Sequence, residues 1–237
     1  MQVNSNFKDL EETLKYQFQN PQLLIQALTH KSYAHEHQRE NNERFEFLGD
    51  AILQFVTSDY LMSRYPEHSE GMLSKFRAVL VSEKGLSVVA KKIDLGRFLL
   101  IGKGEEVTGG REKSSILSDA LEAILASIFL DSKETHGVTK IAEIIHKLFD
   151  PEISNAEKTF ATIDYKTDLQ EFVQKNKLGE LKYKIIEELG PDHDKEFVTA
   201  LTINDQVFGV GRGKSKKISE QNAAIASFKQ LKKENEN

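Results

Sequence analysis

The sequence predicts two domains, an all-α domain over residues 1–150 and an α+β domain with the element order α-β-β-β-α over residues 164–234. Apolar residues recur at helical spacing through the first 150 residues, where no alternating stretch of strand length occurs. Three short alternating stretches follow later in the chain. Between the two patterns, residues 151–163 combine Pro151 with small polar residues and weak periodicity, so we predict a linker there.

The first domain is predicted to consist of helices. Asn20 is a typical N-cap residue, and Pro21 occupies the first helical position of the segment that it begins. Helical spacing continues over residues 44–64, 71–91, 114–130 and 137–149. Residues 101–111 (IGKGEEVTGGR) contain four glycines, and we predict that they form a loop.

The second domain is predicted to contain a small antiparallel sheet between two helices. Residues 164–176 and 215–231 have helical spacing, whereas residues 182–187, 197–203 and 206–210 alternate between apolar and polar side chains. Asn204 and Asp205 are typical turn residues, so they predict a tight hairpin between the last two strands.

The composition excludes several functional classes. The chain has 237 residues and no cysteine, which rules out disulfides, zinc sites with thiolate ligands and a cysteine nucleophile. The N-terminal residues are polar and acidic, unlike a signal peptide. No apolar run approaches the roughly 18–20 residues that span a bilayer. We therefore expect a soluble, cytoplasmic protein with no membrane partner.

The distribution of charge matters more than its sum. The net charge of −5 by itself argues against a nucleic-acid partner. Residues 212–217 (RGKSKK) nevertheless contain four basic side chains and no acidic one. Cations at the start of a helix are unfavourable beside the helix dipole unless an anion binds there. This segment therefore predicts a phosphate-binding site, although a solvated charge cluster is the commoner meaning of such a run.

Three acidic residues share one stripe of the helix predicted to begin near residue 43. At 100° per residue, Glu46 and Asp50 lie at about 300° and 340° relative to Glu43. The apolar residues at about 120° to 200° are Phe45, Leu48, Ile52 and Phe55. From this helix alone, a solvated acidic face opposite an apolar core face and a functional acidic cluster are equally good interpretations.

A second acidic pair lies in a helix that is apolar in nearly every direction. Asp119 and Glu122 occur within SILSDALEAILASIFL, a pattern typical of a buried helix. Two buried carboxylates require compensation, because an unpaired buried charge costs several kcal/mol. Lysine or arginine partners are one solution, but Arg111 and Lys113 precede the helix in the glycine-rich segment. A divalent cation is the other solution.

The residue types indicate which cation such a cluster would take. Oxygen ligands without cysteine or paired histidine favour Mg²⁺ or Mn²⁺ over Zn²⁺. If Glu46 and Asp50 face Asp119 and Glu122, the four carboxylates are suited to phosphodiester hydrolysis, in which bound cations activate a water and stabilise the leaving oxygen. Such chemistry needs no nucleophilic side chain.

Several segments resemble ribonuclease III, and they occur in the family's order along nearly the whole chain. These segments are LTHKSY (28–33), ERFEFLGDAIL (43–53), SEGMLSKFRA (69–78), GEEVTGGREKSSILSDALEA (104–123) and the C-terminal α-β-β-β-α unit. The last unit contains GRGKSKKISEQNAA (211–224), which resembles the double-stranded RNA-binding domain. A lone pair of acids would be weak evidence, whereas five ordered motifs are specific.

The resemblance implies an all-helical endonuclease domain that acts as a homodimer on double-stranded RNA. The family's metal-binding carboxylates match Glu46, Asp50, Asp119 and Glu122. Of these, Asp50 and Glu122 match the pair with catalytic roles, with Mg²⁺ as the cofactor and Mn²⁺ able to substitute. Glu43 and Glu70 match accessory acidic positions. The implied products have 5′-phosphate and 3′-hydroxyl ends with short 3′ overhangs.

The resemblance also implies roles in subunit and RNA contacts. Phe47 lies at about 40° on the helical wheel, beside the acids, and matches an aromatic residue of the dimer interface. The implied RNA contacts are Thr167, Gln170, Glu171 and Gln174 on the first helix of the second domain, His193 in a loop, and Lys214, Lys216 and Lys217 at the start of the last helix.

Two other functions are compatible with parts of this pattern. A catalytically silent dimer that binds double-stranded RNA would keep the second domain but would be expected to lack one or more of the four acids, and all four are present. A DNA endonuclease is disfavoured, because the second domain resembles one that binds A-form helices and 2′-hydroxyls. We therefore expect an endoribonuclease that processes ribosomal RNA precursors and other structured transcripts.

Overall fold

The computed structural model describes the backbone of residues 6–66, 68–135, 137–163, 165–191 and 195–235. The side chains at 6, 155–163, 165, 167, 168, 229 and 232–235 are outside this description. The chain divides into two compact units, Met1–Ser154 and Asn155–Asn237. Within the described ranges, no helix is both long enough and apolar enough to cross a membrane.

The first unit is built from helices, as predicted. Its α-helices are α1 (Asn6–Leu14), α2 (Pro21–Ala27), α3 (Lys31–His37), α4 (Glu43–Arg64), α5 (Glu70–Leu80), α6 (Glu83–Lys92), α7 (Lys103–Val107), α8 (Ser114–Ser132) and α9 (Gly137–Ile163), the last of which extends past residue 154. The Asn20 side chain accepts a hydrogen bond from the N–H of Gln22, so the predicted cap of α2 is confirmed.

Helix α8 lies at the centre of the first unit because it is apolar on all sides. Helices α2, α4 and α6 pack around it. Its buried apolar residues are Ile116, Leu117, Ala120, Leu121, Ala123, Ile124, Leu125, Ala126 and Ile128. A helix of this composition is stable when it is surrounded by other elements, and the prediction that it is buried is confirmed.

Helices α4 and α8 approach most closely where Gly49 meets Glu122. A Cβ atom added at Gly49 would lie 2.0 Å from the backbone oxygen of Glu122. Any other residue at position 49 would therefore force the two helices apart. Glycine in a helix interior destabilises the helix by about 1 kcal/mol relative to alanine. At position 49, the close approach of the α4 and α8 backbones offsets this loss.

The packing face of α4 differs from the one that the helical wheel predicted. The buried residues of α4 are Gly49, Leu53, Val56, Thr57 and Leu61. Phe45, Leu48 and Ile52, predicted as core, are only half-buried, and Phe55 is 61% exposed. The prediction was wrong because α8 packs on the side of the small residue Gly49, which turns the larger apolar stripe outward.

Two further segments of the first unit differ from the sequence prediction. Residues 71–91 form two helices, because Ser82 caps a new one by accepting the N–H of Gly85 at 3.1 Å. Residues 101–111, predicted as a loop, contain α7 and part of a short 3-10 helix (Gly110–Glu112). Glu36 stabilises the start of α7, because its carboxylate accepts the N–H of Lys103 at 2.9 Å.

The predicted linker at residues 151–163 is helical. It continues α9, which contains Pro151 in its interior. Proline cannot donate a backbone hydrogen bond and usually interrupts a helix. Here the side chains on either side hold the helix to the first unit, since Phe149 and Ile153 are both buried. Tertiary packing therefore outweighs the local preference for a break.

The second unit contains the predicted order of elements. They are α10 (Tyr165–Lys175), β1 (Leu181–Leu189), β2 (Glu196–Ile203), β3 (Gln206–Gly213) and α11 (Lys216–Asn235). The three strands form an antiparallel sheet in the order β1-β2-β3. The turn between β2 and β3 has positive φ at both Asn204 (49°) and Asp205 (64°), as its sequence predicted.

Helix α11 packs against β3 through glycines on one face of the strand. These glycines are Gly209, Gly211 and Gly213. A Cβ atom at Gly211 would lie 2.1 Å from the backbone nitrogen of Ala223, which is itself fully buried. The hydroxyls of Ser219 and Thr199 lie 2.7 Å apart in this interior, so both buried groups are hydrogen-bonded.

Replacing Gly49 by alanine is expected to destabilise the first unit. The added methyl group would overlap the backbone of α8, and overpacking of this kind typically costs about 1–3 kcal/mol. Gly71→Ala is the matched control, because it is also in a helix but its added Cβ would have nothing nearer than 3.9 Å. Urea unfolding measures both changes, and equal stability of the two variants would contradict the close contact.

Candidate metal centre

Three carboxylates from two distant segments meet beside the contact between α4 and α8. Glu46, Asp119 and Glu122 each offer one oxygen, and these oxygens all lie within 4.8 Å of one another. We call these three residues the acidic cluster. Asp119 and Glu122 are neighbours on α8 because residues three apart share a helix face. Glu46 reaches them because Gly49, one turn along α4, contacts α8 directly.

Glu122 is the most buried member of the acidic cluster. Its exposed fraction is 9%, and it forms no hydrogen bond or ion pair with the described part of the chain. Burial, and next the negative charges of Asp50, Asp119 and Glu46, raise the pKa of the Glu122 carboxyl to about 8. Without a cation, this carboxyl is therefore largely protonated at neutral pH.

The other two members also bind protons more tightly than usual. Burial, followed by the charges of Asp119 and Glu43, raises the pKa of Glu46. Burial is also the main reason that the pKa of Asp119 is raised, and a hydrogen bond with Ser118 at 3.3 Å partly offsets it. All three shifts have the sign expected for carboxylates that repel one another in a site of low polarity.

The nearby lysine and arginine side chains form no ion pair with the acidic cluster, although the charge of Lys31 partly offsets the rise in the pKa of Glu46 and Asp119. Lys113 pairs with Glu105 at 2.5 Å, and Arg111 pairs with Glu106 at 2.7 Å. Both cations therefore have partners in the segment that precedes α8. The compensation of the acidic cluster by lysine or arginine, one of the two alternatives left open by the sequence, is not seen in ion pairs of the described residues.

Asp50, the fourth predicted ligand, lies at the solvent edge of the acidic cluster. It is exposed and accepts a hydrogen bond from the Gln54 amide at 3.1 Å. It is near enough for its charge to raise the pKa of Glu122, but it is not one of the three mutually close residues. The structure thus brings together three of the four predicted ligands and leaves the fourth beside them.

The two accessory acids occupy different positions. Glu43 begins α4, forms an ion pair with Lys31 at 3.7 Å, and lines a cavity together with Glu46. Glu70 begins α5, where it is exposed and accepts a hydrogen bond from the Ser74 hydroxyl at 2.7 Å. Glu43 is therefore part of the surroundings of the acidic cluster, whereas Glu70 has a local partner on its own helix.

Sequence reasoning missed three residues that shape the site. Gly49 sets the distance between the helices, and its position inside a helix was the available signal. His30 and Asn42 line the same cavity as Glu46 and Asp119. Burial lowers the pKa of His30, which favours its neutral form. Each of these two residues precedes a helix and has the appearance of an ordinary cap in the sequence.

The donor set fits a hard divalent cation. The three residues of the acidic cluster provide oxygen ligands, and these residues lack a cationic partner among the described ion pairs. Oxygen ligands of this charge favour Mg²⁺ or Mn²⁺. A bound dication would also stabilise the charged form of Glu122, and so counteract the burial that raises the pKa of this carboxyl.

The predicted RNA contacts lie on two elements of the second unit. Gln170, Glu171 and Gln174 are exposed on α10, and Lys214, Lys216 and Lys217 are exposed around the start of α11. The Ser215 hydroxyl accepts the N–H of Ile218 at 3.2 Å and so caps α11 between these lysines. The side chain of Thr167 and the whole of His193 lie outside the described residues.

Phe47 is exposed on the surface of α4. Its exposed fraction is 81%, and those of Phe55 and Met62 on the same helix are 61% and 62%. We call these three residues the apolar face of α4. Large apolar side chains exposed together typically mark an interaction surface. The position of Phe47 beside the acids, rather than in the core, agrees with the helical wheel.

Comparison with known proteins places both units in described families. A family described as ribonuclease-III-like matches residues 20–153, and the double-stranded RNA binding motif matches residues 165–231. The ribonuclease 3 of Caldanaerobacter subterraneus is 48% identical over 224 residues, which cover 94% of this chain and 96% of that protein. The ribonuclease 3 of Anoxybacillus flavithermus is 45% identical over 232 residues, which cover 95% of each chain.

A solved structure shows the same likeness in three dimensions. The nuclease domain of ribonuclease III from Campylobacter jejuni is 46% identical and superposes with a TM-score of 0.56. The match covers 61% of this chain and 99% of that domain. Both units of the chain and their order therefore agree with one family. The chain belongs to the ribonuclease III family of endoribonucleases that cut double-stranded RNA.

Proposed function

We propose that this chain hydrolyses phosphodiester bonds of double-stranded RNA at the acidic cluster, with Mg²⁺ as the cofactor and Mn²⁺ able to replace it. The products have 5′-phosphate and 3′-hydroxyl ends, with short 3′ overhangs. One observation supports this site above others. Glu122, buried in the helix at the centre of the first unit, has two neighbouring carboxylates and no cationic partner among the described residues.

The carboxylates have different roles in this proposal. Glu46, Asp119 and Glu122 hold the metal ion, which when bound supplies an acidic water and stabilises negative charge on the leaving oxygen. Asp50 lies at the exposed edge, held by Gln54, where its free oxygen can orient a water for attack. Glu122 lies at the buried side of the site. The two carboxylates that contact the reacting phosphate are therefore in different environments, Glu122 in an apolar one and Asp50 in contact with solvent.

We propose that the apolar face of α4 joins two copies of the chain. Phe47 is the central contact, since burial of one exposed phenyl group contributes roughly 2 kcal/mol. The solved Campylobacter jejuni nuclease domain is described with a region involved in dimer formation. Each copy supplies a complete acidic cluster, so a dimer places two sites on one duplex and can cut both strands.

The second unit binds the duplex in this proposal. Neutral donors and acceptors suit 2′-hydroxyls in the minor groove, and lysines suit phosphates. Gln170 and Gln174 on α10 supply the first kind of contact, together with Thr167 and His193, and the Glu171 carboxylate accepts from a 2′-hydroxyl, whereas Lys214, Lys216 and Lys217 supply the second kind. Substrate choice then follows duplex shape, and the substrates include ribosomal RNA precursors and other structured transcripts in the cytoplasm.

Glu122→Gln and Asp50→Asn are each expected to reduce cleavage by about a thousandfold or more, because one removes a metal ligand and the other the group that orients the water. Binding of RNA should change little, since the second unit is intact. The assay is single-turnover cleavage of a long perfect RNA duplex with Mg²⁺, alongside a gel-shift measurement of binding.

Glu134→Gln is the matched control, because Glu134 is exposed just beyond the end of α8 and pairs only loosely with Lys133 at 3.8 Å. It should cleave at the wild-type rate. If the wild-type protein binds RNA but shows no metal-dependent cleavage, the proposed function is wrong. The chain would then be a catalytically silent binding protein.

The stability of the metal-free protein is expected to fall as the pH rises from about 5 to about 8. In this window the folded state binds more protons than the unfolded state, because the pKa of Glu122 is raised to about 8. Glu122→Gln should make the fall smaller, with the rest due to the raised pKa values of Glu46 and Asp119, and should be more stable at pH 8 by a few kcal/mol, at about 1.4 kcal/mol per pKa unit.

Mg²⁺ should raise the stability of the wild-type protein at pH 8 and change that of Glu122→Gln little, because the cation takes the place of protons on the carboxylate oxygens and the variant lacks one of these carboxylates. Urea unfolding at pH 6 and pH 8, with chelator or with Mg²⁺, measures these effects. Identical pH dependence of the wild type and the variant would rule out the coupling of Glu122 to metal binding.

Phe47→Asp is expected to weaken dimerisation about 30-fold or more and to reduce cleavage in parallel, since it replaces roughly 2 kcal/mol of apolar burial with a charge. Val107→Asp is the matched control, because Val107 is 88% exposed on α7 and is not part of the apolar face. Sedimentation equilibrium gives the dissociation constants, and an intact Phe47→Asp dimer would contradict the assignment.

A further inference from the structure

A cavity beside the acidic cluster has a neutral, polar wall that the proposed chemistry does not use. Its volume is about 330 Å³, and its lining residues are His30, Lys31, Asn42, Glu43, Glu46 and Asp119. We call it the side cavity. Glu46 and Asp119 are shared with the acidic cluster, so a group held in the side cavity lies next to the site of hydrolysis.

Asn42 is the clearest sign that the side cavity binds something. Its exposed fraction is 4%, yet its carboxamide forms no hydrogen bond with the described part of the chain. It stands at the N-cap position of α4 but does not cap the helix with its side chain. Its carboxamide atoms are not fully enclosed by protein, because the side cavity leaves them open to a ligand that can pair with both the oxygen and the nitrogen.

The hydrogen bonds of His30 determine which of its nitrogens can serve a ligand. Nδ1 accepts the N–H of Ser32 at 3.3 Å and lies 2.8 Å from the Ser32 hydroxyl. That hydroxyl already accepts the N–H of Gly102, so its own hydrogen points to Nδ1. The ring hydrogen is therefore on Nε2, which makes His30 a neutral donor beside Asn42.

Charge decides which group of an RNA strand suits this wall. Three carboxylates and one lysine line the side cavity, and that lysine is already paired with Glu43. A phosphate is disfavoured in such surroundings. A hydroxyl carries no charge and is both donor and acceptor, and the Asn42 carboxamide offers both complementary groups. Among the parts of a nucleotide next to a scissile phosphate, the ribose 2′-hydroxyl has this chemistry.

We propose that the side cavity binds the 2′-hydroxyl of a nucleotide adjacent to the scissile phosphate, through the Asn42 carboxamide and the Nε2–H of His30. The proposal rests on the proposed function of the acidic cluster. In this proposal the first unit itself recognises the ribose. Discrimination between RNA and DNA then operates at the site of cleavage, in addition to any selection by the second unit.

The test uses a duplex with a single cleavage site, in which either nucleotide flanking the scissile phosphate has a 2′-deoxyribose. The readout is the single-turnover cleavage rate at saturating enzyme and Mg²⁺. For the wild-type protein, one of the two substitutions should slow cleavage about tenfold, or about 1.4 kcal/mol, because the hydrogen bonds of the 2′-hydroxyl with Asn42 and His30 are lost together. Asn42→Ala should cleave the all-ribose duplex several-fold more slowly and lose less with the deoxy duplex than the wild-type protein does, because only the hydrogen bond with His30 is left to be removed.

Asn41→Ala is the matched control, since Asn41 precedes Asn42 but bonds to Glu43 and does not line the side cavity. It should retain the full tenfold ratio. Asn42→Ser keeps a small capping residue and replaces Asn42→Ala if the latter does not fold. Circular dichroism checks the fold of each variant.

The possible results separate the two proposals. A wild-type protein that cuts the all-ribose duplex but is insensitive to both deoxy substitutions overturns the side-cavity proposal alone. An unchanged ratio in a folded Asn42 variant does so too. A wild-type protein that cuts neither duplex overturns the proposed function itself.

Discussion

The contact between the backbones of Gly49 and Glu122 is the constraint on which the first unit depends. Because glycine has no Cβ, α4 lies directly against α8, and a methyl group there would be 2.0 Å from the Glu122 oxygen. The same contact brings Glu46, one turn earlier, to Asp119 and Glu122. Helix packing and the assembly of the acidic cluster are therefore one structural event.

The acidic cluster lowers the folding stability of the first unit locally, and the surrounding apolar core offsets this loss. The raised pKa values of Glu46, Asp119 and Glu122 show that the folded chain holds these carboxylates in surroundings that disfavour their charged forms. Helix α8 can tolerate this because nearly all of its other side chains are buried and apolar. Arg111 and Lys113 would relieve the repulsion, but they form ion pairs in the segment before the helix. The acidic cluster thus has no cationic partner among the described ion pairs.

The second unit uses small residues in the same way. Gly211 on β3 lets the backbone of α11 approach at Ala223, where a Cβ atom would be 2.1 Å away. This close packing fixes the start of α11 relative to the sheet. Lys216 lies there with its ammonium 5.7 Å from the ring centre of Phe197, and Ser215 caps the helix. The position of this exposed, basic start of α11 therefore depends on the contact between Gly211 and Ala223, two residues with little or no side chain.

The sequence by itself determined the two domains, the α-β-β-β-α order and the burial of Glu122 beside a half-buried Asp119, because these follow from periodicity within single elements. It did not distinguish Glu46 from Asp50, which lie on one stripe of α4 but end up inside and at the edge of the acidic cluster. It also placed Phe55 on the apolar face opposite the acids, and tertiary packing leaves this side chain exposed.

Only the tertiary structure decided these points, because they depend on which side of α4 meets α8. A helical wheel ranks faces by apolar area, whereas the closest packing occurred at the smallest residue, Gly49. The same reason hid Asn42, which precedes a helix in the sequence and has the appearance of a cap. Its side chain makes no capping bond and lines the side cavity instead. The local sequence does not show whether a residue at an N-cap position, such as Asn42, forms the capping hydrogen bond.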